Sequence, residues 1–373
     1  MRVAIVHDWL NQRGGAEEVL EVLRSMCPAA PVFTSIFIPQ AMPNEYRTWT
    51  IRTSFMQRLP AVNRYHRALL PLFPLAFRSF DLSGYDLVIS NSSGFCHGVA
   101  TRSPTCHVNY CLTPPRYVWS LEQYMAREQI GGAARAILPL AARYLRRWDY
   151  KAAQEIGHFI GISRTVQDRI KRYYGREAAV IYPPVDTAAF TPATEIGDYF
   201  LVVSRLVPYK RIDLAVDAFN ELGLPLTVVG EGRDRALLEA MAYPNVRFLG
   251  WQPRERVREL LARCRAFVFP GEEDFGIAPV EAQASGRPVI AYAGGGALET
   301  VQDGVSGLFF REASPQSLAE AVARFERVQE RFDPNIIREE ARHFDTSVFR
   351  KKIAAFIAER TGAGVLAGKD LGA

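Results

Sequence analysis

Short apolar runs recur along the chain, and between them lie stretches whose apolar positions repeat at helical spacing. Arg2–His7 predicts a first strand, followed by a loop carrying Gly14 and Gly15 and a helix from Ala16 to Met26. Tyr85–Ser90 and His107–Cys111 predict further strands among helix-like segments, one of which is the basic stretch Ala133–Gln154. A strand over Phe159–Ile162 runs into Ser163, a good N-cap for a helix reaching about Tyr174. Ala179–Tyr182 predicts one more short strand before Pro183 and Pro184 break the chain.

A second series starts beyond the prolines. Tyr199–Ser204 predicts a strand backed by a helix over Ile212–Leu222, and Leu226–Val229 a strand ahead of Gly230–Gly232 and a helix over Arg235–Ala242. Val246–Leu249, Ala266–Phe269, Pro288–Tyr292 and Gly307–Phe309 complete the set of strands. Strands separated by helical patterns of roughly 10–15 residues imply parallel βαβ units. With 373 residues and a proline-rich break near 183–192, the expectation is an α/β chain of two Rossmann-like, doubly wound domains facing a central cleft. Their boundaries are expected at 1–183 and 184–345, with 346–373 as a C-terminal segment.

Composition changes this picture little. No run of 18 apolar residues is free of charge, and the first run meets His7 and Asp8 too early for a signal peptide, so a cytoplasmic chain is expected. The five cysteines contain no C-x-x-C pair, which argues against zinc and for reduced thiols. Charge is more informative. Residues 1–150 carry 16 Arg, no Lys and 10 acids, against 29 bases and 30 acids in the remainder. A basic first half calls for an anionic partner or is simply an arginine-rich surface. Nucleic acid is not expected, because the arginines are scattered and no binding motif accompanies them.

Candidate chemistry lies where strands end and helices begin, since helix N-termini and cations hold phosphates. Gly14 and Gly15 allow close backbone approach after the first strand, although a plain tight turn would look the same. Neither a complete G-x-G-x-x-G nor a G-x-x-x-x-G-K-[ST] is present. In SRLVPYKRIDLAV, Arg205 and Lys210 lie between a strand and a helix, where two cations can flank a diphosphate or stand in solvent as surface charges. In FVFPGEEDFGIAPVEAQASG, Glu273 and Glu281 stand eight positions apart around Phe275, Gly276 and Ile277. Carboxylates in such an apolar setting can accept hydrogen bonds from vicinal hydroxyls of a sugar or ribose.

Arg205, Lys210, the Glu273/Glu281 pair and GGGALETVQDGVSGLFF (Gly294–Phe310) resemble the donor half of retaining family 4 glycosyltransferases with the GT-B fold. HDWLNQRGGAEEVL and NYCLTPPRYVW extend the resemblance over nearly the whole chain, and within the family it is similar to bacterial mannosyltransferases of O-antigen and exopolysaccharide assembly. The resemblance implies an acceptor-side first domain, a donor-binding second domain, and a last helix, Ser347–Arg360, returning to the first. It implies a nucleotide-sugar donor, GDP-mannose or a related GDP-deoxyhexose before a UDP-sugar, and a polyprenyl-diphosphate-linked acceptor. Arg205 and Lys210 would stabilise the leaving diphosphate, Glu273 hold the sugar and Glu281 the ribose, with Gly14, Gly15, Gly232, Phe275, Gly276 and Ile277 lining the donor. No cofactor and no metal are expected, the D-x-D signature being absent.

One departure stands out. Where the family carries a histidine in its YCHTP segment, this chain has Leu112. His107, on the same strand, is the remaining catalytic candidate, and Asp8, Arg116 and Tyr117 are expected towards the acceptor. Arg64–Phe80 and Ala134–Lys151 mix arginine with aromatic and aliphatic residues, which suits either a peripheral site on an anionic membrane or helices packed on the sheet. A donor-binding homologue of weak activity and a nucleotide-sugar epimerase are the alternatives.

Overall fold

The computed structural model describes residues 1–60, 62, 66–121 and 132–362. The chain divides into two compact units, residues 1–184 with 349–373, and residues 185–348.

The first unit is built on a seven-stranded parallel sheet: β1 (Val3–His7), β2 (Val32–Thr34), β3 (Ile51–Thr53), β4 (Leu87–Ser92), β5 (Cys106–Cys111), β6 (His158–Gly161) and β7 (Ala178–Val180). Their order is β3-β2-β1-β4-β5-β6-β7. β4 is buried along its whole length, as expected of a central parallel strand covered on both faces. Its serines are tolerated because polar groups meet there: Asn109 donates to Ser90 Oγ and Ser92 Oγ, each at 2.8 Å. β2 and β3 escape the sequence pattern. Three residues each are too few to show a period.

The final helix, Thr346–Thr361, buries Phe349, Ile353, Phe356 and Ile357 as one stripe. From residue 349 it belongs to the first unit, with Phe349 edge-on to Tyr110 at 5.5 Å and Arg350 Nη2 donating to Ser25 Oγ at 2.7 Å.

The second unit has a six-stranded parallel sheet: β8 (Phe200–Val203), β9 (Leu226–Val229), β10 (Val246–Gly250), β11 (Phe267–Phe269), β12 (Val289–Tyr292) and β13 (Gly307–Phe310), in the order β10-β9-β8-β11-β12-β13. Phe200 stands at the heart of its core, 5.1 Å from Phe219 and 5.8 Å from Phe325. The helices Arg254–Arg263 and Pro315–Val328 are additions to the sequence-predicted set. The first is so charged that only Leu260 and Leu261 of its ten residues are buried, which leaves a faint pattern.

Both sheets reverse their strand order once, between β1 and β4 and between β8 and β11. Loops leaving the carboxyl ends of such strand pairs diverge and open a crevice, where ligands of doubly wound sheets bind.

Candidate functional site

In the second unit, the loops after β8 and β11 bring the sequence-predicted cations and acids together. Lys210 Nζ and Glu273 Oε1 form an ion pair across the β8/β11 switch point, both side chains largely buried. Arg205 Nη2 donates to Tyr209 Oη at 2.6 Å, and Lys210 Nζ lies 5.4 Å from the centre of the same tyrosine ring. Arg211, in the left-handed region at φ 54°, turns the chain from this loop into the helix Ile212–Leu222.

Glycines set how closely the loops nest. A Cβ on Gly271 would lie 2.6 Å from Lys210 O, one on Gly232 2.0 Å from Leu206 O, and one on Gly295 2.2 Å from Glu273 O. Backbone hydrogen bonds follow the same contacts: Leu206 N donates to Glu231 O at 2.9 Å, and Gly296 N to Glu273 O at 2.8 Å. The glycine run 294–296 is therefore the backing against which the Glu273 loop is held.

Phe275 is buried and packs edge-on to Phe344 at 5.4 Å. Gly276, at φ 89°, precedes the helix Ile277–Ala284, whose N-terminus has no side-chain cap. Glu281 is buried on that helix and accepts from Arg254 Nη2 at 2.9 Å. Sequence reasoning missed Arg254, because one arginine in RERVRELLAR reads as part of a wet helix face.

The first unit treats its candidates differently. Gly14 and Gly15 are exposed where the helix Gly15–Met26 begins. A buried polar network fastens that helix start. Asn91 Nδ2 donates to Ala16 O at 2.8 Å and lies 3.2 Å from His7 Nδ1, and His7 Nε2 lies 3.2 Å from Glu17 Oε1. These contacts assign the proton to His7 Nε2.

Asp8 does not offer a free carboxylate to an acceptor. It is 2% exposed and accepts from Ser93 N at 2.6 Å, Gly94 N at 2.7 Å and Cys96 N at 2.8 Å. It brackets the β1/β4 switch point and anchors the loop after β4.

His107 is enclosed within the sheet. It is the second residue of β5, paired with Val88 in the amino-terminal half of the sheet, away from the loops. Its Nε2 lies 2.8 Å from Ser90 Oγ, and burial followed by the charge of His97 pushes its pKa down to about 3.

Arg116 and Tyr117 open the helical turn Arg116–Trp119, where Tyr117 packs edge-on to Phe95 at 5.6 Å. The turn is held from beneath: Trp119 Nε1 and Tyr174 Oη both donate to Asp149 Oδ2, at 2.6 and 2.8 Å, and Arg146 Nη2 donates to Val118 O at 2.8 Å. Asp149 is fully buried within a strongly basic helix, so nothing in its neighbourhood marks it. Leu112, just past β5, is 9% exposed. Among the described residues, no three His, Cys, Asp or Glu side chains converge as metal ligands.

A two-unit α/β chain with acids and cations at a switch point has clear counterparts. The family model for Glycosyltransferase Family 4 matches residues 13–189, and that for Glycosyl transferases group 1 matches residues 190–344. Each half of the chain therefore resembles a glycosyltransferase domain, and the two parallel-sheet α/β units have the GT-B architecture.

Among its relatives, an uncharacterised glycosyltransferase of Methanocaldococcus jannaschii is 29% identical over 170 residues, 44% of this chain and 48% of that protein. A GDP-mannose-dependent alpha-(1-6)-phosphatidylinositol monomannoside mannosyltransferase of Mycolicibacterium smegmatis is 33% identical over 204 residues, 46% of this chain and 52% of that protein. The chain spans about half the length of the curated relatives it matches. Its fold is shared with the Anabaena protein HepE, solved in complex with UDP, at a TM-score of 0.74 and 19% identity over 96% of this chain and all of that one.

Proposed function

We propose that the protein is a retaining, metal-independent glycosyltransferase that moves a hexose, mannose from GDP-mannose in the favoured case, onto a lipid-linked or growing polysaccharide acceptor. The observation that carries this is the pairing of Lys210 with Glu273 across the β8/β11 switch point, with Arg205 on the same loop. An entering diphosphate takes the lysine's charge, which releases Glu273 to accept from sugar hydroxyls.

The bond from the sugar C1 to the diphosphate oxygen then breaks, and its electron pair leaves with the nucleoside diphosphate. The acceptor hydroxyl bonds to C1 on the same face, and its proton passes to the departing phosphate oxygen. Arg205 and Lys210 stabilise the charge that builds up there, the task a metal ion performs elsewhere, so a chelator is expected to leave turnover unchanged. The mycobacterial relative supports mannose and guanine.

A thermal-shift screen against GDP, UDP and ADP, followed by product analysis with GDP-mannose, tests the proposal: the donor's own base stabilises the fold. No shift with any of the three would overturn it.

Leu112 favours a second reading, a protein that binds donor but turns it over weakly. It predicts a normal shift without product, and product restored by Leu112→His.

For the acceptor we infer an anionic bilayer surface as the partner. The helix Gly132–Glu155 exposes Leu140, Arg143, Tyr144, Arg147 and Lys151 along one stripe, and Leu75 is exposed on the helix Phe73–Arg78, which is tied to it by Arg78–Glu155. Arg64 and Tyr65, part of the same expectation, lie outside the described residues. Among those described, no helix is long and apolar enough to cross a membrane. Absence of binding to anionic liposomes at low salt would remove this partner.

A further inference from the structure

The pairing of Arg254 with Glu281 is not accounted for by the helix that carries it. Arg254 is the first residue of Arg254–Arg263, where the positive end of the helix dipole disfavours a cation, and Glu255 beside it already supplies the acid that position prefers. The arginine side chain is about one-third exposed and the glutamate side chain 9% exposed, so the pair reaches from the surface to a buried carboxylate. What Arg254 does achieve is to hold a buried carboxylate 27 positions away, through Nη2 to Glu281 Oε1 at 2.9 Å.

Its place in the fold is also specific. Arg254 follows the carboxyl end of β10, where Gly250, at φ 67°, turns the chain. Gly230 N donates to Gly250 O at 2.9 Å and Trp251 N to Glu231 Oε1 at 3.3 Å, so the β9 and β10 loops are joined at the outer edge of the sheet. The pair therefore links that edge to the helix Ile277–Ala284, which follows β11.

We propose that Arg254 is a positioning residue for the nucleoside half of the donor. By holding the Glu281 carboxylate in one orientation, it makes binding depend on the vicinal hydroxyls of a ribose. This rests on the donor site proposed above. A carboxylate that must first be ordered loses affinity for a diol, whereas one already held by a planar guanidinium accepts from two hydroxyls without further loss.

The test is equilibrium titration of the whole chain with GDP and 2′-deoxy-GDP, and in parallel with UDP and 2′-deoxy-UDP. The unaltered protein is expected to bind the ribonucleotide about tenfold more tightly than its 2′-deoxy form. Arg254→Gln is expected to weaken the ribonucleotide about tenfold, leave the deoxy form nearly unchanged and bring their ratio close to one. Arg254→Lys retains the charge without the planar fork and is expected to fall between the two. It carries the test if Arg254→Gln does not fold. A ribose-to-deoxyribose ratio untouched by either variant would overturn the role of Arg254 and leave the donor site standing. Failure of the unaltered protein to bind any of the four nucleotides would overturn the donor site and this inference with it.

Discussion

At the scale of single residues, the same chemical groups do different work according to where the sheet puts them. Lys210 and Glu273 face each other at a switch point as an ion pair. Lys210→Ala is expected to lower kcat/KM by about 10²–10³, as removal of one preorganised charge does elsewhere, with the fold retained. Steady-state kinetics beside a melting curve checks this, and an unchanged kcat/KM would exclude Lys210 from the chemistry.

His107 illustrates the opposite case. Its pKa is depressed from 6.5 to about 3, so the unfolded chain takes up a proton that the folded one refuses. The stability it contributes is complete above pH 6.5 and declines as pH falls towards 3, by at most about 1.4 kcal/mol per pH unit. Denaturant titrations across that window should show a shallower pH dependence for His107→Gln than for the unaltered protein. An identical slope in both would mean that the ring is not enclosed as the structure has it.

At the scale of elements, loop contact rather than loop sequence fixes the site. Gly295 is left-handed at φ 58° and has the Glu273 carbonyl where a Cβ would go, whereas Gly304, at φ 76°, has open space around it. Gly304→Ala is expected to cost only the backbone term, about 1 kcal/mol. Gly295→Ala adds a steric clash of about 1–3 kcal/mol and displaces Glu273, weakening donor binding as well. Comparing the two variants by chemical denaturation and donor titration separates these effects, and equal losses would argue against the nested loops.

At the scale of the whole molecule, the last described helix belongs from residue 349 onward to the same unit as β1. The helix Thr346–Thr361 covers Tyr110 with Phe349 and buries Ile353, Phe356 and Ile357. Removing residues from 349 onward is expected to lower the melting transition of the first unit, while the transition that shifts with nucleoside diphosphate stays in place. Scanning calorimetry with and without ligand would show it, and a single transition that falls as a whole would contradict the division of roles.

Periodicity in the sequence determines the parallel α/β character of both units, because buried central strands and amphipathic helices leave distinct repeats. The proposed donor residues Arg205, Lys210, Glu273 and Glu281 are legible for a related reason: they stand in or just after loops at strand ends, where a doubly wound sheet must open. β2 and β3 are too short to carry a period, and Asp149 and Arg254 sit in helices whose charge reads as solvated surface. Asp8 and His107 show most clearly what tertiary structure alone decides. Both are polar residues in or beside strands, and only packing reveals that backbone amides have already claimed one and that the other lies at the wrong end of its strand. Whether a polar group is available to a ligand is a question of which neighbours reach it first, and those neighbours lie up to 88 positions away.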